Sequence, residues 1–479
     1  MSKQQKLKQL LQKQLNQGRD LLDRGLDRHV RLAVTGLSGA GKTTFITGIL
    51  EQLLHGDSRR LPFWRVAREG RLRGAHLSAQ PDQQIPRFQY EKALATMAGD
   101  PPKWPASTRS LSEIRTVVRA DKKASWYGGS RDYRDLTIDL LDYPGEWLLD
   151  LPMLQQDYAQ WSAQQRELLA KEPRQQLAST WLQQWSDSGK AVQDNQQSDD
   201  DVEVRETATA YRAFLQSARQ QGLYLLQPGR LLLPGELENA PILDFFPWPE
   251  EPSDAPLPPH MQRLYELLEQ RFEAYKKEVV TPFFKQHFRH FNRQVLLVDV
   301  LGALRRGPTA VADLQLTLQQ LLPSFQYGSN SLLNRLFQPR VEKVCIVATK
   351  ADVLVPEQHE QLQQLLKSIV SPILDSLRFD GIEVELHAVA AISCTQASAR
   401  DAEVPAVTGW ERTDNGVRQV AVKPPQLPKG SNFSDFKAIA YIDFVPAVAA
   451  GLGATGIRGE ALPQLRLDAV LEFLTGDKW

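Results

Sequence analysis

Eight residues carry the clearest chemistry in this chain: Gly36-Leu37-Ser38-Gly39-Ala40-Gly41-Lys42-Thr43, which match G-x-x-x-x-G-K-[ST] at every constrained position. Glycines at these spacings let backbone N–H groups turn inward and cradle phosphate oxygens at the start of a helix. A lysine at position 42 puts a point charge on the β- and γ-phosphates, and the Thr43 hydroxyl suits magnesium. The expected phosphate-binding set is Gly36, Ser38, Gly39, Ala40, Gly41, Lys42, Thr43 and Thr44.

Two further clusters fit the same chemistry. Asp142-Tyr143-Pro144-Gly145 follows the apolar run Leu136–Leu141, where a carboxylate at a strand end can order a magnesium shell. Gly145 can bring its N–H close to a γ-phosphate because no side chain blocks the approach. Turns also supply D-x-x-G freely, so its position after a strand carries the weight. Thr349-Lys350-Ala351-Asp352 follows Val344–Ala348. There Asp352 can accept from guanine N1–H and its exocyclic amine, and Lys350 can lay its stem across the base. A helix-capping aspartate is the competing reading.

Other patterns are weaker. Arg59, Arg60, Arg65, Arg68, Arg71 and Arg73 form the densest basic run, but Phe63, Trp64, Val66 and Glu69 interrupt it as in a partly buried element. His287 and His290 stand three apart without a third ligand nearby, so packing roles are expected for them. Trp161, Trp181 and Trp185 read as core.

The elements that must position these residues follow from the apolar pattern. Val30–Thr35 is a short apolar run ending at a glycine, and residues 43–55 read as a helix burying Phe45, Ile46, Ile49, Leu50 and Leu53. Strand, glycine loop and helix in that order form the context a phosphate loop needs. Leu136–Leu141, Val295–Val300, Val344–Ala348, Val384–Ala391 and Ile439–Phe444 read as strands of the same sheet. The expected fold class is α/β, a doubly wound, mostly parallel sheet with an inserted helical domain, and with the three motifs in this order it resembles a Ras-like P-loop NTPase. The expected division is an amphipathic leader helix over 1–27, nucleotide-binding parts over 28–145 and 293–479, and the insertion over 146–292. Within the insertion, the acidic tract Ser186–Glu206 reads as a mobile loop, and Met261–Val280 as a long helix. Trp410–Val422 reads as a hairpin turning at Asn415-Gly416.

Composition sets bounds. The chain has 479 residues, and its 57 Lys and Arg balance 57 Asp and Glu, which argues against an overall electrostatic grip on nucleic acid or anionic lipid. The two cysteines, Cys345 and Cys394, lack metal spacing and suit a reducing compartment. No secretory signal is evident, and Ala438–Ile457, interrupted by Asp443, Pro446 and glycines, reads as a buried strand and a loop rather than a span. A cytoplasmic protein is expected, with membrane association only through a partner.

The segments around the motifs narrow the reading. Val34–Thr47, Trp104–Arg115, Asp139–Trp147 and Pro463–Asp477 together resemble the YcjX-like family of bacterial P-loop NTPases, over nearly the whole chain. The resemblance implies a Ras-like GTPase core with a large helical insertion, a link to stress, bound GTP or GDP with Mg2+, and a protein partner met through the insertion. It places switch I on residues 104–115, with Thr108 (Ser107 as second choice) reaching magnesium and γ-phosphate and Arg109 a candidate internal arginine finger. The last guanine loop falls at Ala391-Ile392-Ser393. Two departures stand out: Thr349 replaces the usual Asn, and Glu146 stands where small GTPases carry the water-orienting Gln. The expected reaction is slow GTP hydrolysis with Glu146 positioning water. The rival activities are an ATPase or P-loop kinase, or a nucleotide-gated interaction module with negligible turnover.

Overall fold

The computed structural model describes residues 28–37, 39–80, 82–122, 133–193, 200–251, 256–326, 341–398, 403–414, 416–430, 433, 435–446 and 461–479. The expected leader helix over 1–27, Ser38, Asn415 and the Gly451–Ile457 stretch therefore lie outside the described residues. The chain forms two compact units, one built on residues 1–144, 291–311 and 339–479, the other on 145–290 and 312–338.

The first unit is a seven-stranded sheet in the order β2-β3-β4-β1-β5-β6-β7. Its strands are β1 (His29–Gly36), β2 (Leu72–Ser78), β3 (Ser112–Asp121), β4 (Tyr133–Asp142), β5 (Arg293–Val298), β6 (Lys343–Ala348) and β7 (Glu383–Ala388). Neighbours run parallel from β4 through β1, β5 and β6 to β7, and only β2 and β3 are antiparallel additions. This is a mixed α/β fold with a mostly parallel sheet. The central parallel strands β1, β5 and β6 are the ones whose apolar runs stand out in the sequence, because both of their faces are covered, whereas the edge strand β7 is only part-buried.

The antiparallel edge was harder to read. β3 has a half-buried alternation in which Ile114, Thr116, Val118 and Ala120 point inward, a period-two signal masked by its arginines. The helix α1 (Lys42–His55) packs Phe45, Ile46, Ile49, Leu50 and Leu53 onto the face formed by Val30, Leu32, Val34, Ile138 and Leu140. A second helix, α2 (Tyr90–Met97), ties to α1 through the Tyr90 hydroxyl, which donates to Glu51. The basic run is spent on local ties. Arg71 pairs with Glu69 and Arg73 with Asp121, Arg65 reaches the Gly476 carbonyl (2.6 Å), and Trp64 is fully buried, edge-on to Trp479.

Across the sheet face opposite α1 lies a charged cluster. Asp139 accepts from Arg115 Nη2 (2.8 Å) and shares a 2.8 Å hydrogen bond with His29 Nε2. Burial opposes ionisation, yet these two partners hold the Asp139 carboxyl down to about 2. Glu113 is fully buried with neither carboxylate oxygen hydrogen-bonded among the described residues, and burial with the nearby Asp139 charge pushes it up to about 7.

The second unit is mainly helical: α3 (Tyr158–Leu169), α4 (Arg174–Gln193), α5 (Asp200–Gln220) and α6 (Pro259–Tyr275). Asp157 caps α3 by accepting from Gln160 N–H (2.8 Å), while the Gln160 side chain accepts from Asp157 N–H. Trp161 and Trp181 are buried among rings, Trp161 stacked on Phe272 at 5.2 Å and Trp181 against Tyr211 at 4.7 Å. Trp185 packs there too, on Phe246 and Trp248.

The acidic tract is not a loop where it is described. Residues 186–193 continue α4, and Asp200, Asp201 and Glu203 open α5. Acidic side chains favour a helix N-terminus, and Arg263 (2.9 Å to Asp200) and Arg271 neutralise them. The long helix holds from Pro259 to Tyr275, after which a π-turn covers Lys276–Val280. The second unit also takes in residues 312–326, beyond the insertion bounds read from sequence.

Returning to the first unit, α7 (Val300–Arg306) follows β5. The helix α8 (Pro308–Leu321) then leads out of this unit. The helices α9 (Pro356–Phe379) and α10 (Leu467–Thr475) complete the fold. A small antiparallel sheet, β8 (Thr395–Ala397), β9 (Val407–Thr413) and β10 (Gly416–Val422), contains the expected hairpin. Ile439–Phe444 is not the expected strand: it pairs with no ladder. Its polar contacts are made instead by Asp443 to Arg305 (2.7 Å) and by the Phe444 carbonyl.

Candidate nucleotide site

The phosphate loop leaves β1 at Gly36, and the helix α1 begins at Lys42. Gly39 (φ 79°) and Gly41 (φ 82°) hold left-handed backbone, which a side chain would strain. Lys42 is nearly buried, and its Nζ donates to the Gly36 carbonyl at 2.8 Å, so the ammonium is folded back over the loop. One turn further, a Cβ on Gly48 would stand 2.5 Å from the Ala391 carbonyl oxygen. Only glycine lets α1 approach the loop after β7 that closely.

A cavity of about 310 Å³ opens at this loop. Gly39–Phe45 line one end, Trp104–Thr108 one side, and Thr349, Lys350, Asp352 and Val389–Ile392 the other end, with Tyr441–Phe444 alongside. The phosphate loop, Thr349–Asp352 and Val389–Ile392 come from the carboxyl ends of the parallel strands β1, β6 and β7, where open α/β sheets place ligands. The structure thus brings Gly39, Ala40, Gly41, Lys42, Thr43, Thr44, Thr108, Lys350, Asp352, Ala391 and Ile392 to one cavity. Gly36 sits behind it as the acceptor for Lys42. Ser107 also lines it, and Ser393 instead donates its N–H to the Pro463 carbonyl (2.8 Å).

Three oxygen-bearing side chains gather at the start of α1: Thr43, Thr108 and Asp142. The Thr108 hydroxyl donates to Asp142 Oδ2 (2.7 Å) and stands 3.4 Å from the Thr43 hydroxyl. The other Asp142 oxygen is buried without a hydrogen-bond partner among the described residues. Burial pushes the Asp142 carboxyl up to about 6, against the pull of Lys42 and the Thr108 bond. A buried, under-satisfied carboxylate flanked by two hydroxyls suits a hard divalent cation such as Mg2+. Among the described residues no group of three or more His, Cys, Asp or Glu is gathered for a metal.

At the other end, Asp352 Oδ2 accepts from the Cys394 N–H (2.8 Å) and its thiol (3.2 Å). This fixes the carboxylate and leaves acceptor capacity facing the cavity. Burial raises its pKa, with the Cys394 N–H opposing. Lys350 adopts left-handed backbone (φ 63°), and its Nζ pairs with Asp299 Oδ2 at 2.6 Å. Asp299 also caps α7 through Gly302 N–H (2.8 Å), and the same Oδ2 lies 4.0 Å from where a Cβ on Gly39 would sit. Asp299 therefore stands between the base loop and the phosphate loop. Thr349 is buried, with its hydroxyl unpartnered among the described residues.

Asp299, Cys394, Tyr441 and Phe444 are site residues that the sequence reading does not name as such, and Trp104 enters it only as the start of the 104–115 stretch. Asp299 lies inside the apolar run Val295–Val300 and directly follows β5. Arg109 is exposed and lies outside the cavity lining. Gly145 and Glu146 open a 3-10 turn in the second unit, where Glu146 is buried and pairs with Arg219 at 2.9 Å.

Comparison with known proteins agrees with this geometry. The family model described as "YcjX-like family, DUF463" matches residues 30–479. The chain is 39% identical over 470 residues to a Ras-like GTPase YcjX of Escherichia coli, covering 96% of this chain and 97% of the relative. It is 36% identical over 493 residues to a Ras-like GTPase YcjX of Shewanella oneidensis, covering 98% of each. With the family model matching residues 30–479 and these relatives spanning nearly its full length, the chain belongs to the YcjX-like family.

Proposed function

We propose that the chain is a GTP-binding protein that hydrolyses GTP to GDP and phosphate, slowly when alone, and serves as a switch in a stress-related process of the cytoplasm. The observation that carries this reading is one cavity with Lys42 at one end and Asp352 at the other. The name its relatives carry, Ras-like GTPase, supports it.

In this reading the loop amides and Lys42 bind the β- and γ-phosphates, and Asp352 accepts from the guanine N1–H and amine. Lys350, held by Asp299, lays its stem along the base, and Ala391 and Ile392 meet the base oxygen through backbone N–H groups. Thr43, Thr108 and Asp142 would hold Mg2+, which neutralises phosphate charge when bound. Gly145 follows Asp142 by three residues and offers its N–H toward the γ-phosphate. Glu146 accepts from the attacking water. Its own charge disfavours the reaction beside a phosphate, and the Arg219 pair offsets part of that cost. Arg109 serves in charge neutralisation only if its exposed segment turns inward.

The nucleotide-binding parts comprise residues 28–145 and 293–479, and the helical residues 146–292 form an inserted domain that meets a protein partner. The test is phosphate release from GTP by the purified chain. Turnover dependent on Mg2+ and lost in Lys42→Ala supports the reading, and turnover retained by that variant refutes it. No helix among the described residues is long and apolar enough to cross a membrane, so any membrane association is assigned to a partner.

A further inference from the structure

Two segments outside the phosphate loop and the Asp352 loop also line the cavity: Trp104–Thr108, the opening of the stretch read as switch I, and Tyr441–Phe444. The Trp104 indole N–H donates to the Phe444 carbonyl at 2.9 Å. Two residues earlier, the Pro102 carbonyl accepts from Arg412 Nη2, on β9, at 2.7 Å. The Phe444 ring is seated on Gly409 of the same strand, where a Cβ would meet a ring carbon at 2.5 Å. Next to it, Val445 N–H donates to the Trp410 carbonyl at 2.8 Å.

The small sheet is also tied to the base loop. β8 begins at Thr395, whose hydroxyl donates to the Asp352 carbonyl, directly after Cys394, whose N–H donates to the Asp352 carboxylate. The three strands therefore hold the base loop at one end and the segment leading into Thr108 at the other. That segment is short: only Pro105, Ala106 and Ser107 separate Trp104 from Thr108, which contacts Thr43 and Asp142.

We propose that Trp104 and Arg412 are positioning residues of a latch, formed by the small sheet and residues 439–445, that sets how long a bound nucleotide is retained. The proposal rests on the guanine-nucleotide reading of the cavity. A nucleotide filling the cavity is enclosed by Trp104 and Phe444, both of which line it. It departs when the 101–108 segment parts from Phe444 and Arg412, so release draws on the fraction of molecules with the latch open. Each hydrogen bond contributes on the order of 1 kcal/mol net, so deleting one raises the open fraction, and with it the release rate, about 3- to 10-fold. Because Thr108 lies on the same segment, contacts at the phosphate end strengthen the latch, and retention is longer with GTP than with GDP.

The experiment follows release of fluorescently labelled GDP, chased by excess unlabelled GDP with Mg2+, from the full chain. Wild type is compared with Trp104→Phe, Arg412→Ala and Arg412→Lys. The amplitude reports the fraction of folded, loaded protein, and the rate reports the latch. Trp104→Phe keeps a ring but loses the N–H, and Arg412→Lys keeps a donor. We expect Trp104→Phe and Arg412→Ala each to release about 3- to 10-fold faster at near wild-type amplitude, and Arg412→Lys to recover most of the difference. Release at the wild-type rate from both Trp104→Phe and Arg412→Ala overturns the latch while leaving the nucleotide reading intact. A wild type that retains no guanine nucleotide refutes the nucleotide reading itself, and the latch falls with it.

Discussion

The two ends of the cavity are built in different ways. The phosphate end is made of contiguous chain: a strand end, a glycine turn and a helix start, with Lys42 folded onto Gly36 six residues away. The base end is assembled from segments far apart in sequence, with Asp352 held by Cys394, Lys350 by Asp299, and the cover by Trp104 and Phe444. Local backbone geometry fixes the first, and long-range side-chain ties fix the second. Substitutions at the phosphate end should therefore abolish binding, whereas those at the base end should change which nucleotide binds and for how long.

The largest expected effect is at the phosphate end. Lys42→Ala removes a nearly buried cation from beside the phosphates and should weaken GTP binding about 100- to 1000-fold in calorimetry, the range for losing one partner of a desolvated charge pair. Retained affinity would erase the contrast between the ends. At the base end, Asp352→Asn keeps an oxygen to accept from Cys394 N–H but loses the charge that accepts both guanine donors. Guanine affinity should fall roughly 10- to 100-fold, while xanthine nucleotides gain. Competition binding with GDP and XDP reads this directly, and an unchanged ranking would return Asp352 to a capping role.

A third prediction separates either end from the sheet beneath. Glu113 is buried, and its carboxyl is raised to about 7 against an ordinary 4.5. A raised carboxyl favours the folded state when protonated. Its contribution is fully present below about pH 4.5 and is lost as pH rises through about 7. Thermal unfolding of Glu113→Gln should lack this component, so the variant gains on wild type by roughly 2 kcal/mol between pH 5 and pH 8. Parallel pH profiles for the two proteins would refute the assignment. The smallest effect is expected at the Glu146 pair: Arg219→Ala should slow turnover by about threefold with little change in KM, since an ion pair whose arginine is partly exposed contributes modestly. An equal rise in KM would show that the pair acts in binding instead.

The same contrast explains what the sequence could disclose. The phosphate loop, the parallel strands and α1 were legible because glycine spacing and apolar runs are local signals. β2 and β3 escaped, since arginines and a half-buried alternation conceal an antiparallel edge. The acidic opening of α5 looked like a loop because its stabilising partners, Arg263 and Arg271, lie more than sixty residues away. Ile439–Phe444 had a strand's composition but serves as a cover, and apolar content alone does not distinguish a ladder from a lining. Asp299 and Cys394 became functional candidates only when folding set them against Lys350 and Asp352.

The central claim, a guanine nucleotide with its phosphates at Lys42 and its base at Asp352, is tested most directly by comparing GDP and ADP affinity of the wild-type chain in Mg2+. The account predicts that GDP binds at least about tenfold more tightly, because a buried acceptor pair matched to two guanine donors leaves adenine unpaired. Equal affinities, or a preference for ADP, would contradict it.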